Sequence, residues 1–125
     1  MLSTMPILKP ASVLGALALA AAAFVPQSQA APSFDGTWTV TIAVENGACK
    51  GRTVPIQVAD GHVRYAGTFR AEATGRVSPQ GALNVSFSRR GDVAHATGAL
   101  DGTAGRGNWT SPTKDCSGTW SARKA

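Results

Sequence analysis

Two histidines are the first residues to consider for chemistry, because an imidazole can act as a general base or bind a metal ion. His62 follows the dipeptide Asp60–Gly61, and His95 lies three residues after Asp92, a carboxylate that could orient it. The chain contains neither a G-x-S-x-G nucleophile motif nor an H-E-x-x-H zinc motif. We therefore interpret both histidines as surface residues and predict no enzyme, no catalytic residue, no metal site and no cofactor, with iron coordination by Tyr65 or His95 as the alternative.

A group of glycines near the carboxyl end could suggest a phosphate-binding loop. The group consists of Gly98, Gly102, Gly105 and Gly107. No Gly-Lys-Ser/Thr follows it, and no helix is predicted whose N-terminus could hold the anion. Small residues recur two positions apart, in Ala94, Ala96 and Gly98 and again in Gly105 and Gly107. This spacing places each set on one face of its strand. That arrangement leaves room for tryptophans from the opposite wall, in either a packed core or a small pocket.

Residues 1–30 have the three-part pattern of a secretory signal peptide. Lys9 precedes an uncharged apolar run, Pro26 ends it, and Ser28–Gln29–Ala30 is a small-x-small cleavage site. The run, about 15 residues long, is shorter than the roughly 20 that span a bilayer. We predict cleavage after Ala30 and a mature domain over 31–125 that is periplasmic or extracellular, without a transmembrane segment.

The two cysteines, Cys49 and Cys116, both lie in the predicted mature domain. Disulfides persist in exported proteins, so we predict that they are bonded. The bond would close a loop between residues 49 and 116, which is worth roughly 4 kcal/mol of stability in the chain-entropy model. Two cysteines are too few for a cysteine-rich structural zinc module.

Apolar residues alternate with polar ones throughout the mature chain, as in Trp38, Val40 and Ile42. This period of two is typical of half-buried strands, and no segment has the spacing of a helix. Asn46–Gly47, Asp60–Gly61 and Asp101–Gly102 favour type I′ hairpin turns. From Pro79 onward the turn signals recur every eleven residues. The pattern predicts an all-β fold, an antiparallel up-and-down meander of eight strands, at residues 37–45, 53–58, 61–66, 69–77, 81–88, 92–99, 103–110 and 116–123.

Eight such strands can close into a barrel by pairing the first with the last, which removes both sheet edges. Both of these strands contain Gly-Thr-Trp, and we expect Trp38 and Trp120 to plug one end as structural residues, with Trp109 also in the interior. Cys49 and Cys116 then lie at the opposite end. An open sheet or a two-sheet sandwich is the alternative.

Charge concentrates at the predicted disulfide end of the barrel. The chain carries 12 Lys+Arg against 7 Asp+Glu, which favours acidic partners such as anionic lipids or glycans. We predict that an anionic partner contacts four residues of this end, namely Lys50, Arg52, Arg89 and Arg90. The alternative is that these charges only keep the loops soluble. Nucleic acid is not expected, because the protein is exported and no aromatic platform lies between the basic residues.

The segments Phe34-Asp35-Gly36-Thr37-Trp38 and Cys116-Ser117-Gly118-Thr119-Trp120 resemble the ends of small exported barrels. A Gly-x-Trp in the first strand is similar to calycin-like proteins, which include lipocalins, avidins and bacterial metalloprotease inhibitors. Uncharacterised exported bacterial proteins with FDGxW and CSGxW ends are similar over most of the mature chain. The inhibitors have a long N-terminal trunk, whereas only residues 31–34 precede the first strand here.

The function that these observations predict is a secreted, monomeric, non-enzymatic binding module. Its ligand would be a small molecule or an anionic surface component. The alternative is an inhibitor or partner of another exported protein, such as a protease.

Overall fold

The structure, a computed structural model, describes residues 33–125. The predicted signal peptide and its cleavage site lie outside the described residues. The described chain forms eight antiparallel strands: β1 (Gly36–Asn46), β2 (Arg52–Ala59), β3 (His62–Tyr65), β4 (Glu72–Val77), β5 (Ala82–Arg89), β6 (Asp92–Asp101), β7 (Ala104–Ser111) and β8 (Cys116–Lys124). None of these residues belongs to a helix that is long and apolar enough to cross a membrane.

Each strand pairs with the next, and β1 pairs with β8, so the sheet closes into a barrel. The closing ladder runs from Trp38 opposite Lys124 to Asn46 opposite Ser117, with a bulge near Val44. The predicted all-β fold and the closed eight-stranded meander are confirmed, and the open sheet and sandwich are excluded.

Three of the hairpin connections, β2–β3, β5–β6 and β6–β7, are two-residue turns. Asp60–Gly61 and Arg90–Gly91 have positive φ at both central residues, as a type I′ turn requires. Asp101, in contrast, pairs with Ala104, so the next turn centres on Gly102–Thr103. The predicted type I′ turn at Asp101–Gly102 is therefore wrong. A glycine with positive φ at the first central position is typical of type II′ instead.

The prediction of a tight turn at Asn46–Gly47 is also wrong. Asn46 is still paired with Ser117, and the connection to β2 runs over residues 47–51. Gly47 has φ of 93° and lies against the backbone of Asp115 and Cys116. The loop therefore folds over the start of β8, which brings Cys49 to Cys116.

The predicted disulfide between Cys49 and Cys116 is confirmed, with 6.1 Å between the two Cα atoms. It ties the β1–β2 loop to the first residue of β8, across the ladder that closes the barrel.

The fourth strand begins at Glu72 rather than at Phe69. Residues 66–71 form a loop instead, and the Phe69 amide donates a hydrogen bond to the Tyr65 hydroxyl at 3.3 Å. The Tyr65 ring also occupies the space beside Gly67, where a larger residue would clash. The loop is thus shaped by one tyrosine side chain, which a period-two pattern does not reveal.

Candidate functional site: a cavity with a basic rim

The barrel encloses a cavity of about 500 Å³, a volume within the usual range for small-molecule sites. All eight strands contribute inward-facing side chains to it, and most of these are aliphatic or aromatic. The loop residues that line it come from one end of the barrel, namely Cys49, Lys50, Arg90 and Lys114. The cavity therefore opens at the disulfide end.

The opposite end is closed by Trp38, whose side chain is 0% exposed. Val58 and Val63 pack beside it and are almost fully buried. The Trp38 indole Nε1–H donates to the carbonyl of Phe34 at 2.8 Å, and the Phe34 side chain packs against the core. Gly36, with φ of 135°, lets the chain turn from this covering segment into β1. The Phe-Asp-Gly-Thr-Trp segment thus forms the floor of the cavity.

The Trp120 ring forms part of the cavity wall and packs against two glycines, Gly98 and Gly107. A Cβ atom added to Gly98 would lie 2.6 Å from the indole Cζ2, and one added to Gly107 would lie 2.7 Å from Nε1. Gly107 is the partner of Trp120 on β7, and the indole Nε1–H reaches beyond it to the Thr97 carbonyl on β6, at 3.1 Å. The absence of side chains on these glycines therefore allows the ring to lie flat.

Trp109 repeats this arrangement on the other side of β8. Its partner on β8 is Gly118, and its indole Nε1–H reaches the Ala43 carbonyl on β1 at 3.0 Å. The two glycine-tryptophan pairs lie on neighbouring strands, and together they connect β6, β7, β8 and β1 from the inside.

The prediction that Trp38 and Trp120 plug the same end needs correction. Trp38 pairs with Lys124, whereas Trp120 lies four residues earlier on β8, opposite Ile42. At about 3.3 Å per residue, that is about 13 Å along the strand. Trp38 closes the end of the barrel, whereas Trp120 lines the wall.

The interior presents mostly apolar side chains to a ligand, and its polar side-chain atoms are already hydrogen-bonded. All three indole N–H groups donate to backbone carbonyls, and the buried Ser111 hydroxyl donates to the Val93 carbonyl at 2.7 Å. Among the described residues, no buried side-chain nitrogen or oxygen lacks a hydrogen-bond partner. A ligand inside the barrel would therefore be held by apolar and aromatic contact.

The rim of the cavity carries the four basic residues that the sequence singled out. Lys50, Arg52, Arg89 and Arg90 all line it, and Lys114 joins them. Asp92 is the single carboxylate in the lining. Within residues 33–125, the one ion pair joins Lys114 to Asp92 at 3.8 Å.

Arg89 is half-buried, and its guanidinium lies 5.0 Å from the centre of the Phe69 ring. Phe69 itself is 64% exposed at the same end of the barrel. The β3–β4 loop thus contacts the rim through this cation–π pair, while Phe69 stays outside the lining.

The two histidines lie away from the cavity. Both are exposed, and the His95 Nδ1 is 3.0 Å from the Ser86 hydroxyl on the outer face of the sheet. Asp92, the carboxylate that could have oriented His95, pairs with Lys114 instead. Tyr65 packs edge-on against Phe87, with 5.8 Å between ring centres. In the part of the chain that the structure describes, no three potential metal ligands form a cluster.

Sequence reasoning did not include Lys114 among the four residues expected to contact a partner, although it lies at the same end of the barrel and lines the cavity. The alternation of Leu83, Val85 and Phe87 predicts that these side chains point inward. It does not predict whether they meet across the barrel or leave a space.

No protein-family model, no curated protein and no solved structure matches this chain.

Proposed function

We propose that this protein is an exported, non-enzymatic binding protein that holds a small apolar molecule inside the barrel. The observation that carries the proposal is the cavity of about 500 Å³, closed at Trp38 and open at the disulfide end. The histidines lie outside it, which supports binding rather than catalysis.

The cavity is preformed, which favours affinity. The closed ladder, the disulfide and the tryptophan hydrogen bonds hold the walls in place before a ligand arrives. Less ordering on binding leaves more of the contact free energy for affinity. Burial of apolar ligand surface contributes about 25 cal/mol per Å².

Export is supported by the disulfide, because such bonds persist in oxidising compartments. The leader-like pattern of residues 1–30 points the same way.

The test uses the neutral fluorescent probe N-phenylnaphthylamine and a pair of matched variants. Ala96 faces the cavity from the middle of β6, whereas Ala99 on the same strand is exposed on the outer face. Ala96→Phe places a phenyl ring in the cavity, and Ala99→Phe places the same ring outside. We expect the original protein and Ala99→Phe to bind the probe and Ala96→Phe to lose binding.

The melting temperature of Ala96→Phe gives a second readout. An extra ring in a filled core costs about 1–3 kcal/mol through overpacking. A hollow barrel accommodates the ring without this loss. A marked fall in melting temperature together with no probe binding by the original protein would refute the proposal.

A second candidate function, binding of another exported protein through the open end, is favoured by Phe69. It is the one large hydrophobic side chain that residues 33–125 leave exposed. Phe69→Ser should leave probe binding unchanged, since Phe69 does not line the cavity. It should weaken inhibition of a purified exported protease if the second function holds.

A further inference from the structure

This inference rests on the proposed function and concerns the class of ligand. We propose that the cavity binds a single-chain or elongated aromatic amphiphile with an anionic head group. The apolar body lies inside the barrel, and the head group, a carboxylate or a phosphate, lies among the rim cations.

The rim charges are largely uncompensated. Lys50, Arg52, Arg89 and Arg90 form no ion pair within the described chain, and Asp92 is already engaged by Lys114. Residues 1–32, which lie outside the described part of the chain, contain no Asp or Glu. A group of cations at the mouth of a low-dielectric cavity attracts an anion more strongly than scattered surface charges do.

These cations approach the mouth from two separate parts of the barrel. Arg52 begins β2 and Lys50 precedes it in the β1–β2 loop, whereas Arg89 ends β5 and Arg90 lies in the following turn. In the eight-stranded barrel, β2 and β5 are three strands apart, one strand short of directly opposite, so the two pairs of cations lie on well-separated parts of the opening. A head group at the mouth can therefore be contacted by both pairs through charge-assisted hydrogen bonds.

The distance from rim to floor sets the length of the apolar body. Arg52 pairs with Ile42, and Trp38 lies four residues further along β1. The interval corresponds to about 13 Å along the strand, or about 10 Å along the barrel axis because barrel strands tilt by about 35–45°. The interior satisfies its own polar groups, so a buried head group would find no partner there. The anion is therefore expected at the rim, with the tail pointing to Trp38.

The experiment compares ligands with the same tail and different heads. Dodecanoate and dodecanol are each titrated into the protein loaded with N-phenylnaphthylamine at pH 7 and low salt, and displacement of the probe gives their affinities. A charge-assisted contact is worth about tenfold or more in affinity. We expect dodecanoate to bind at least about tenfold more tightly than dodecanol, and added salt to reduce this difference.

Two double variants that change the net charge equally separate a rim site from general attraction. Arg89→Glu/Arg90→Glu alters the rim, while Arg76→Glu/Arg106→Glu alters exposed arginines that do not line the cavity. We expect only the rim variant to lose the preference for dodecanoate, with dodecanol binding unchanged. Arg89→Gln/Arg90→Gln is the milder second variant should the Glu pair lower the melting temperature.

The outcomes separate this inference from the proposed function. If the probe does not bind, the proposed function fails. If the probe binds but dodecanoate and dodecanol bind equally, or both double variants weaken dodecanoate alike, the head-group inference fails while the cavity site stands.

The source of the anion is resolved by two further arms. Lysophosphatidylglycerol that displaces the probe more tightly than dodecanoate, with the same dependence on Arg89 and Arg90, supports a membrane-derived ligand. Tighter binding of dodecanoate than of lysophosphatidylglycerol supports a free carboxylic acid as the ligand. Retention on intact anionic vesicles without probe displacement by any monomer would overturn the inference, because the charges would then serve surface docking.

Discussion

The two ends of the barrel differ in burial, connection length and charge. At the closed end, Trp38, Val58 and Val63 are almost fully buried, and the longest connection is residues 78–81. At the open end, Val40 and Ile42 are half-buried, and the two longest connections of the barrel, residues 47–51 and 66–71, lie there beside a two-residue turn at 90–91. The closed end thus concentrates core packing, and the open end carries the groups that could meet a ligand.

The Gly-Thr-Trp tripeptide shows the same division of roles. In β1 its tryptophan is bonded to the covering segment at Phe34 and forms the floor. In β8 its tryptophan lies over Gly107 and bonds to Thr97, two strands away. One tripeptide therefore produces two structures, because the neighbouring strands differ.

The largest effect on stability is expected at the floor. Trp38→Ala removes a side chain that is 0% exposed, and a loss of about 3–5 kcal/mol in the free energy of unfolding follows. Guanidinium unfolding measures it. Phe69→Ala at the open end is the control, expected within about 1 kcal/mol because the ring is exposed and loses only its cation–π contact with Arg89. Equal effects of the two substitutions would remove the distinction between the ends.

The disulfide ties the β1–β2 loop to the start of β8 at the open end. Cys49→Ser should lower the free energy of unfolding by about 2–5 kcal/mol, since the bond constrains the unfolded chain. A thiol assay on denatured exported protein should find no free thiol. Two titratable thiols in that assay would contradict the pairing.

The packing of Trp120 against Gly98 and Gly107 predicts a smaller effect on stability when either glycine is enlarged. Gly107→Ala places a Cβ atom against the Thr97 carbonyl oxygen, 2.7 Å from the Gly98 Cα and 2.7 Å from the indole Nε1, so the backbone of β6 and the Trp120 ring must both shift. We expect a loss of about 1–3 kcal/mol, as for other overpacked sites. In a Trp120→Ala background the same substitution should cost less, because the displaced ring is gone. Additive costs would show that the backbone contact alone is responsible.

The smallest effect is expected at the ion pair of the rim. Lys114 and Asp92 are both substantially exposed, at 56% and 43%, so Asp92→Asn should change stability by less than about 1 kcal/mol. The same substitution removes the one carboxylate that lines the cavity. Dodecanoate affinity measured by probe displacement should therefore rise, while dodecanol affinity stays the same. A fall in dodecanoate affinity would count against the rim as an anion site.

Much of the fold could be predicted from the sequence, because strand alternation and turn chemistry are local properties. The eight strands and their closure follow from them, whereas the Cys49–Cys116 bond follows from the presence of two cysteines in a chain predicted to be exported. The position of the β6–β7 turn could not, since it depends on Asp101 pairing with Ala104. Strand register also decides which glycine each tryptophan covers, and a shift of one residue would reverse the faces.

The candidate site was only half visible in the sequence. The rim residues Lys50, Arg52, Arg89 and Arg90 could be grouped because meander loops alternate between the two ends. The cavity could not be predicted, because it depends on how far side chains from opposite walls reach. Trp109 and Trp120 lie along the walls instead of crossing the interior, and this leaves the space open.

The most direct test of the hollow barrel is a heteronuclear NMR titration of the protein with dodecanoate. The indole N–H groups of Trp38, Trp109 and Trp120 give three reporters placed at the floor and along the wall. We expect saturable shifts of these indole signals and of the Arg52 and Arg89 amides, with exposed outer residues such as Thr39 unaffected. Shifts confined to the outer face, or to the rim without any change at the three indoles, would contradict a ligand inside the barrel.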